Sequence, residues 1–347
     1  MKTARLLLLN LLTTIVVAEL LLRILGFTAL YPYKVISDPP NCIVPSSQFG
    51  FQLNAGTFNI TINDSLQYTA TQAPGPLMAT RITSPTPRPI GSDSLIFLSG
   101  CSFTYGMGVD DSLTYPFRLQ SRLPNYHIIN GAAPAHGTLQ TLLITKKLLE
   151  HNIHPRILIY NYIDFHKERN VLSRPFRQLL LEESQTDDKT KGQLRETGRF
   201  PYGELQEADG RLAIKHAKLN NRNLFYSLRS WSALANQLEY AYNHVAADNR
   251  QADAVTEAAI LEIRELCKDN NINFIVAILK DTEPGPSMKG FCERNAIPAI
   301  DVSIDYTDPG YLNLPFDGHP NARAHSIFAE KVYRYLTEEK WVHRTVK

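Results

Sequence analysis

Cysteine is scarce in this 347-residue chain, which contains only four. No two of them form a C-x-x-C pair, so the sequence indicates neither a disulfide scaffold nor a zinc site. Cys267 and Cys292 could still pair in an oxidising compartment. Cys101 is interpreted as a small buried core residue rather than a reactive thiol.

An excess of charge of either sign is also lacking, because the formal net charge is only +2. No concentrated basic run occurs, so nucleic acid is not an expected partner. A dinucleotide fingerprint is missing, since Gly106-Met107-Gly108 has no third glycine, and no His-Glu-x-x-His metal motif occurs. The sequence therefore predicts no cofactor and no metal.

What the chain does contain is an apolar N-terminal segment. Lys2 and Arg5 precede the apolar run Leu6–Leu22, which is long enough for one bilayer span. Positive charge ahead of the segment places its start in the cytoplasm and the rest of the chain outside. Glu19 and Arg23 are four residues apart on one helical face, so we expect them to pair near the outer interface.

Two other interpretations of this segment exist. A cleaved signal peptide would need a small-x-small cleavage site after the apolar run, and none follows. A buried amphipathic helix of a soluble protein is less consistent with the length and terminal position of the segment. We therefore predict that residues 1–30 form an uncleaved signal anchor, with a single-pass topology and an extracytoplasmic main domain, periplasmic or at the cell surface.

The remaining chain divides by its pattern. Residues 31–92 are rich in Pro, Ser, Thr and Asn, and predict a membrane-proximal extension of short strands and loops, to which no chemistry is assigned. From residue 93 to about 342, strand and helix patterns alternate, which predicts an α/β domain with a parallel sheet flanked by helices. A polar segment at about 165–225 interrupts the alternation and is interpreted as an insertion, a loop or hairpin region that could form a lid.

Two motifs supply residues for acyl transfer. An apolar strand ends in the turn Gly100-Cys101-Ser102, and the second motif, Asp317-Gly318-His319, precedes the last predicted helix. A serine hydroxyl needs a base to take its proton, and a histidine oriented by a carboxylate is the usual arrangement. We therefore predict Ser102 as nucleophile, His319 as base and Asp317 as the orienting carboxylate. The second motif alone is equally typical of a turn ahead of a helix.

An acyl-transfer site also needs donors for the oxyanion. The backbone N–H of Ser102 is one candidate, and that of Gly131 or Ala132, which follow the second strand of the domain, is the other. The carboxyl ends of parallel strands meet at one edge of a sheet, so these groups are expected to lie close together.

At these residues the chain resembles the SGNH superfamily, also called GDSL lipases and acylhydrolases, over roughly residues 93 to 340. Gly100-Cys101-Ser102 matches the family's Gly-Asp-Ser block, with cysteine in the variable middle position. Residues 130–140 match the second block, with Ala132 at the usual glycine, and Asp317–His325 matches the fifth. The resemblance implies a three-layer α/β/α flavodoxin-like sandwich with a mostly parallel sheet.

The third family block departs from the pattern. The family's Asn-Asp pair aligns with Ile163-Asp164, so the asparagine that donates to the oxyanion is missing. Asn161 is the candidate replacement, and Asp164 is a candidate for substrate binding. The polar run Asp164, His166 and Arg169 could line the pocket, bind an acyl or sugar group, or form a structural ion pair.

The predicted function is that of a serine esterase acting through an acyl-enzyme on a carbohydrate or lipid ester. An O-acetyltransferase would use the same residues, because pocket shape and water exclusion decide whether water or a sugar hydroxyl takes the acyl group. A binding protein that keeps the fold but turns over poorly is the alternative that the missing asparagine favours. A metal-dependent hydrolase built on Asp164, His166, Asp317 and His319 is the most remote alternative.

Overall fold

The computed structural model describes residues 2–31, 33–86, 94–180, 184–185, 199–218, 226–246, 251–282 and 287–343. The predicted domain boundary at 92/93 lies outside these residues, as do much of the predicted insertion and the last residues of the chain. The division into an anchor, an extension and a main domain stays a prediction.

The helices lie as follows: α1 Lys2–Ile24, α2 Ser102–Tyr105, α3 Tyr115–Arg122, α4 Thr138–Glu150, α5 His166–Asn170, α6 Arg174–Gln178, α7 Tyr226–Arg229, α8 Ala233–Ala246, α9 Ala252–Asp269, α10 Met288–Arg294 and α11 Ala322–Glu338. The strands are β1 Tyr33–Asp38, β2 Ile43–Ser46, β3 Gly50–Leu53, β4 Gly56–Ile62, β5 Leu66–Ala73, β6 Thr80–Arg81, β7 Leu95–Ser99, β8 His127–Asn130, β9 Ile157–Ile163, β10 Ser184–Gln185, β11 Arg199–Leu205, β12 Leu212–Lys218, β13 Asn273–Lys280 and β14 Ala299–Asp301.

Five parallel strands form the centre of the main sheet, in the order β8-β7-β9-β13-β14. Numbered along the chain, this is the flavodoxin-like order 2-1-3-4-5. The strands are mostly apolar because helices cover both faces. Residues of α4, α9 and α10 pack on one face, and residues of α3 and α11 pack on the other. The predicted three-layer α/β/α sandwich is confirmed.

The extension continues this sheet instead of forming a separate layer. Strand β6 pairs antiparallel with β8, and β5, β4 and β1 follow outward, each antiparallel to its neighbour. One face of these antiparallel strands is covered by a separate hydrophobic core. This core includes Phe58, Ile60 and Tyr68 together with Tyr105 and Met107 of the main domain. Because this core takes residues from both parts of the chain, the extension lies directly beside the segment that follows β7.

Three further features complete the described chain. The hairpin β11–β12 lies within the predicted insertion. Helix α1 is long and apolar enough to cross a membrane, with a mean hydropathy of 2.0 and no buried residue in its most apolar part. All four cysteines are buried free thiols, and burial raises the pKa of Cys267 and of Cys292 to about 12.

Candidate active site

The turn after β7 places Ser102, which is itself largely buried, at the start of α2. A Cβ atom on Gly100 would lie 2.5 Å from Thr104 Oγ1 and 3.0 Å from Asn161 Cβ, so the close packing at this turn favours glycine. Cys101 stays extended as the residue before the helix, and Ser102 takes the first helical position. The short helix then ends at Gly106, which has a left-handed φ of 89°. The local sequence therefore fixes the position of the Ser102 hydroxyl.

Ser102, His319 and Asp317 form a continuous hydrogen-bonded row, which we call the triad. Ser102 Oγ lies 2.9 Å from His319 Nε2, and His319 Nδ1 lies 2.9 Å from both carboxylate oxygens of Asp317. An ionised carboxylate only accepts hydrogen bonds, so the imidazole proton lies on Nδ1 and Nε2 is left to accept from the serine hydroxyl. This is the geometry that general-base activation of a serine requires.

The Asp317 carboxylate is almost fully buried yet held ionised. Burial alone would raise its pKa, but the hydrogen bonds from His319 and from the Tyr33 hydroxyl outweigh that effect, and the pKa of Asp317 lies below its ordinary value. Tyr33 Oη donates to Asp317 Oδ1 at 3.0 Å. The pKa of Tyr33 is raised by its burial and by the neighbouring Asp317 charge, so the phenol stays a donor.

Tyr33 is the residue that the sequence analysis missed. It belongs to β1 of the extension, to which no chemistry was assigned, and it lies 284 positions from Asp317 along the chain. A second contact from the extension supports the same loop, since Asn63 Nδ2 donates to the Phe316 carbonyl at 2.8 Å. No motif marks either residue, because their roles follow from the pairing of the extension with the main sheet.

The two predicted backbone donors differ in availability. The Gly131 N–H donates to the Leu98 carbonyl at 2.9 Å, so it is already used within the sheet. The glycine is required by packing, because a Cβ here would overlap the ring of Phe97. The Ala132 N–H makes only a long contact of 3.3 Å to Asn130 Oδ1. The Gly131 N–H is therefore not available to an oxyanion, which corrects that prediction, and the Ala132 N–H remains the candidate donor.

Asn161 does not replace the missing family asparagine. Its Nδ2 donates to the Ser99 carbonyl at 2.9 Å and to the Ile159 carbonyl at 3.4 Å, and its Oδ1 accepts from the Tyr115 hydroxyl at 2.6 Å. The side chain is fully buried and points into the packing beneath the turn. It therefore supports the nucleophile turn from below and has no amide proton left for an oxyanion.

Asp164 is likewise a structural residue. Its carboxylate accepts from the Phe165 N–H at 2.9 Å and from the Thr282 N–H and hydroxyl at 3.2 Å each, with the Lys280 ammonium 3.7 Å away. These contacts join the ends of β9 and β13. Among the alternatives that the sequence left open for Asp164, the structural one agrees with this geometry.

The remaining polar residues near the site are buried and mutually bonded. His166 Nδ1 lies 2.8 Å from the Tyr160 hydroxyl, and Arg169 donates to the His136 carbonyl at 2.7 Å. His325 is fully buried, and its Nδ1 accepts from the Tyr115 N–H at 3.2 Å. No group of three or more potential metal ligands occurs among the described residues.

Aromatic rings form one wall beside the triad. The ring of Phe103 packs against His319 at a centroid distance of 5.2 Å, and against Phe165 and Tyr306 at 5.8 and 6.1 Å. Leu314 and Phe316, just before Asp317, are about half exposed. An apolar wall of this kind removes water from the imidazole and offers contact area to an acyl or aryl group.

No family model matches the chain, and no curated protein matches it. Several solved structures align with it. The psychrotrophic esterase EstA from Pseudoalteromonas sp. is 12% identical over 72% of this chain and 98% of its own, with a TM-score of 0.37. A catalytic mutant of Axe2, an acetylxylan esterase from Geobacillus stearothermophilus, is 14% identical over 74% and 99%, also with a TM-score of 0.37.

The neighbours are esterases and lipolytic proteins. One of them, from Desulfitobacterium hafniense, is described as a lipolytic protein of the G-D-S-L family, at 11% identity over 70% of this chain and 98% of its own, with a TM-score of 0.35. This is the family that the three sequence blocks resemble. Because these identities and TM-scores are low, the function proposed for this chain is derived from the triad.

Proposed function

We propose that this protein is a serine ester hydrolase of the SGNH type, which removes acyl groups through an acyl-enzyme on Ser102. The observation that carries the proposal is the row of 2.9 Å contacts from Ser102 Oγ through His319 to Asp317. The donor from Tyr33 adds to it, because it keeps Asp317 ionised inside a buried site.

The reaction follows from this arrangement. Ser102 Oγ attacks the ester carbonyl carbon while His319 Nε2 takes the hydroxyl proton, and the resulting imidazolium is stabilised by Asp317. The tetrahedral oxyanion accepts from the Ser102 N–H, and from the Ala132 N–H once its long contact to Asn130 is exchanged. His319 returns the proton to the departing alkoxide, and a water activated by the same nitrogen then releases the acid.

The proposed site has two candidate backbone donors for the oxyanion and lacks the family's asparagine donor. We therefore expect the turnover number to be low. Losing one donor of an oxyanion hole costs on the order of 10² to 10³ in turnover. We therefore expect a slow esterase that favours activated esters or short acyl groups such as acetyl, on a glycan or a lipid. The same feature favours the second candidate, a binding protein of this fold that scarcely turns over.

We further propose that α1 is retained as a membrane anchor with the main domain outside the cytoplasm. Its length, its mean hydropathy of 2.0 and the Lys2 and Arg5 charges ahead of the apolar run support this. A signal peptide would be removed, and the contacts of Glu19 with the folded domain, described below, would be lost with it.

The deciding experiment is hydrolysis of p-nitrophenyl acetate by the full chain in detergent. Ser102→Ala and His319→Ala should each lower kcat/KM by at least about 10³-fold, because the nucleophile and its base act as one unit. Ser121→Ala, which removes an exposed serine hydroxyl on α3, is the matched control and should leave the rate unchanged. Two results together would contradict the esterase proposal and favour the binding protein. These are wild-type activity equal to that of Ser102→Ala, and failure of a fluorophosphonate to label Ser102.

A further inference from the structure

The two charged residues in the outer part of α1 make contacts with a distant segment of the chain. The Glu19 carboxylate accepts from the Ser232 hydroxyl at 2.7 Å and from the backbone N–H groups of Ala233 and Leu234 at 3.0 and 2.9 Å. Helix α8 begins at Ala233, so Glu19 caps the N-terminus of α8 from another helix. This is a docking contact, and a charge in an apolar helix is stabilised by it.

Arg23 completes the contact one turn later. Its Nε lies 2.6 Å from Glu19 Oε1, and its Nη2 donates to the Trp231 carbonyl at 2.8 Å. The sequence predicted the pairing of Glu19 with Arg23, but it did not predict that the pair binds the turn between α7 and α8. This turn is therefore fixed at the level of the last turns of α1.

The turn presents large apolar side chains to the outside at the same level. Trp231 is 80% exposed and Leu228 is 55% exposed, and Ile24 and Leu25 at the end of α1 are 79% and 71% exposed. These four residues, which we call the apolar collar, lie at the end of α1, in α7 and in the turn that Arg23 contacts. A soluble surface rarely exposes a tryptophan to this extent beside other large apolar groups.

We propose that the apolar collar is a membrane-contact surface, in which Leu228 of α7 and Trp231 of the α7–α8 turn insert into the lipid interface beside α1. The occupant is the headgroup and upper acyl region of the bilayer that α1 spans. Tryptophan favours that depth, because its ring is apolar and its indole N–H remains hydrated. The inference rests on the proposed anchoring of α1, and the Glu19–Arg23 contact with α8 sets the depth.

The chain contains its own reporter for this proposal. It has two tryptophans, and Trp341 packs against the core between the sheet and α11. The full chain carrying Trp341→Phe, reconstituted in phosphatidylcholine–phosphatidylglycerol vesicles, therefore reports on Trp231 alone. We expect its fluorescence to be quenched strongly by lipids brominated high on the acyl chain and weakly by lipids brominated near the chain end. The complementary Trp231→Phe chain, reporting Trp341, should not be quenched by either lipid.

The proposal would be overturned if Trp231 emission stays typical of water and is quenched by neither lipid. It would also be overturned if self-association of the chain in detergent, without lipid, already shields Trp231. Flotation on a density gradient separates this failure from that of anchoring, since a chain that does not float with vesicles refutes the anchor itself. Glu19→Leu keeps α1 apolar and removes the cap of α8. We expect it to float normally with several-fold weaker quenching of Trp231, and unchanged quenching would refute the role of the Glu19 contact.

Discussion

At the scale of single residues, the triad depends on a tyrosine that lies outside the α/β domain. The Tyr33 hydroxyl shares Asp317 with His319, so the carboxylate receives donors from both sides. Tyr33 is a positioning residue: it touches the carboxylate that orients the base, and it contributes to the low pKa of Asp317.

Replacing Tyr33 by Phe keeps the ring and removes the donor. Hydrogen bonds to charged groups contribute roughly 1.5–3 kcal/mol, so we expect kcat/KM for p-nitrophenyl acetate to fall by about tenfold or more. The pKa of Asp317 should rise, and because the ionised form is the active one, the acid limb of the pH–rate profile should move to higher pH. Tyr31→Phe, at an exposed tyrosine two positions earlier, is the control. A decrease in kcat/KM that is the same at all pH values would indicate instead that Tyr33 acts only through packing.

Gly131 offers a test of packing against catalysis. Gly131→Ala should lower the free energy of unfolding by about 1–3 kcal/mol, because the new methyl group overlaps the Phe97 ring. Phe97→Leu in the same chain should recover part of that loss, and urea unfolding of the two single variants and the double variant measures the coupling. Strictly additive effects would show that Phe97 is not the obstacle.

The outcome at these residues shows what sequence can predict about a site. Ser102, Asp317 and His319 lie in short local motifs, so their residue types and order were sufficient to predict that these three side chains meet. Gly131 and Asn161 were also named, but the direction of an N–H depends on which strand it pairs with. Strand pairing is a property of the sheet, and no local pattern around Gly131 reports it.

At the scale of elements, Arg81 of β6 holds the loop that follows α2. Its guanidinium donates to Asp111 at 2.8 Å and to the carbonyls of Tyr105, Gly106, Val109 and Thr69 at 2.5 to 3.1 Å. The side chain is fully buried, and its charge lies over the rings of Tyr68 and Tyr105. One residue of the extension thus satisfies the backbone of the nucleophile segment.

Arg81→Lys keeps the charge but loses the planar fork that reaches these acceptors. Leaving a buried acceptor unpaired costs about 1–3 kcal/mol, and a lysine would leave several of these carbonyls unpaired, so we expect a loss of about 3–5 kcal/mol in the free energy of unfolding by urea. The same change at Arg122, whose partner Glu330 is half exposed, should cost less than about 1 kcal/mol. Equal losses at the two sites would mean that the Arg81 contacts carry no special weight.

The sequence predicted the parallel elements well, and the extension poorly. The predicted alternation of strands and helices from residue 93 agrees with elements such as β7 and β9, because strands buried on both faces are continuous apolar runs. The extension strands alternate in burial, as in Phe58–Ile62 of β4, and that pattern fits any half-exposed sheet. Which sheet they join depends on contacts such as those of Arg81.

At the scale of the whole molecule, three buried histidines make stability depend on pH. Burial lowers the pKa of His136 to about 4 and that of His325 to about 3, and it lowers the pKa of His166 well below its ordinary value. In the unfolded chain these groups titrate near about 6.5. Between these values the unfolded state binds more protons, so acid favours unfolding.

We therefore expect the free energy of unfolding in urea to fall as pH decreases from about 6.5 to about 5, a range in which most carboxylates stay ionised. The slope should approach about 1.4 kcal/mol per pH unit for each histidine that titrates in the unfolded chain. His325→Asn keeps an acceptor for the Tyr115 N–H and should flatten the slope by one histidine's share. Stability that is flat over this range, or that rises toward pH 5, would contradict the assignment.

The short segment between α1 and β1 determines where in space the chemistry can occur. From Ile24 to Tyr33, whose hydroxyl touches Asp317, a fully extended chain spans at most about 30 Å. The segment is also pinned, because the Thr28 carbonyl accepts from Asn236 and the Leu30 N–H donates to the Arg229 carbonyl. With α1 in a bilayer, Ser102 is held at a fixed distance from the membrane. The number of active sites then scales with membrane area, and the substrate must come to the membrane.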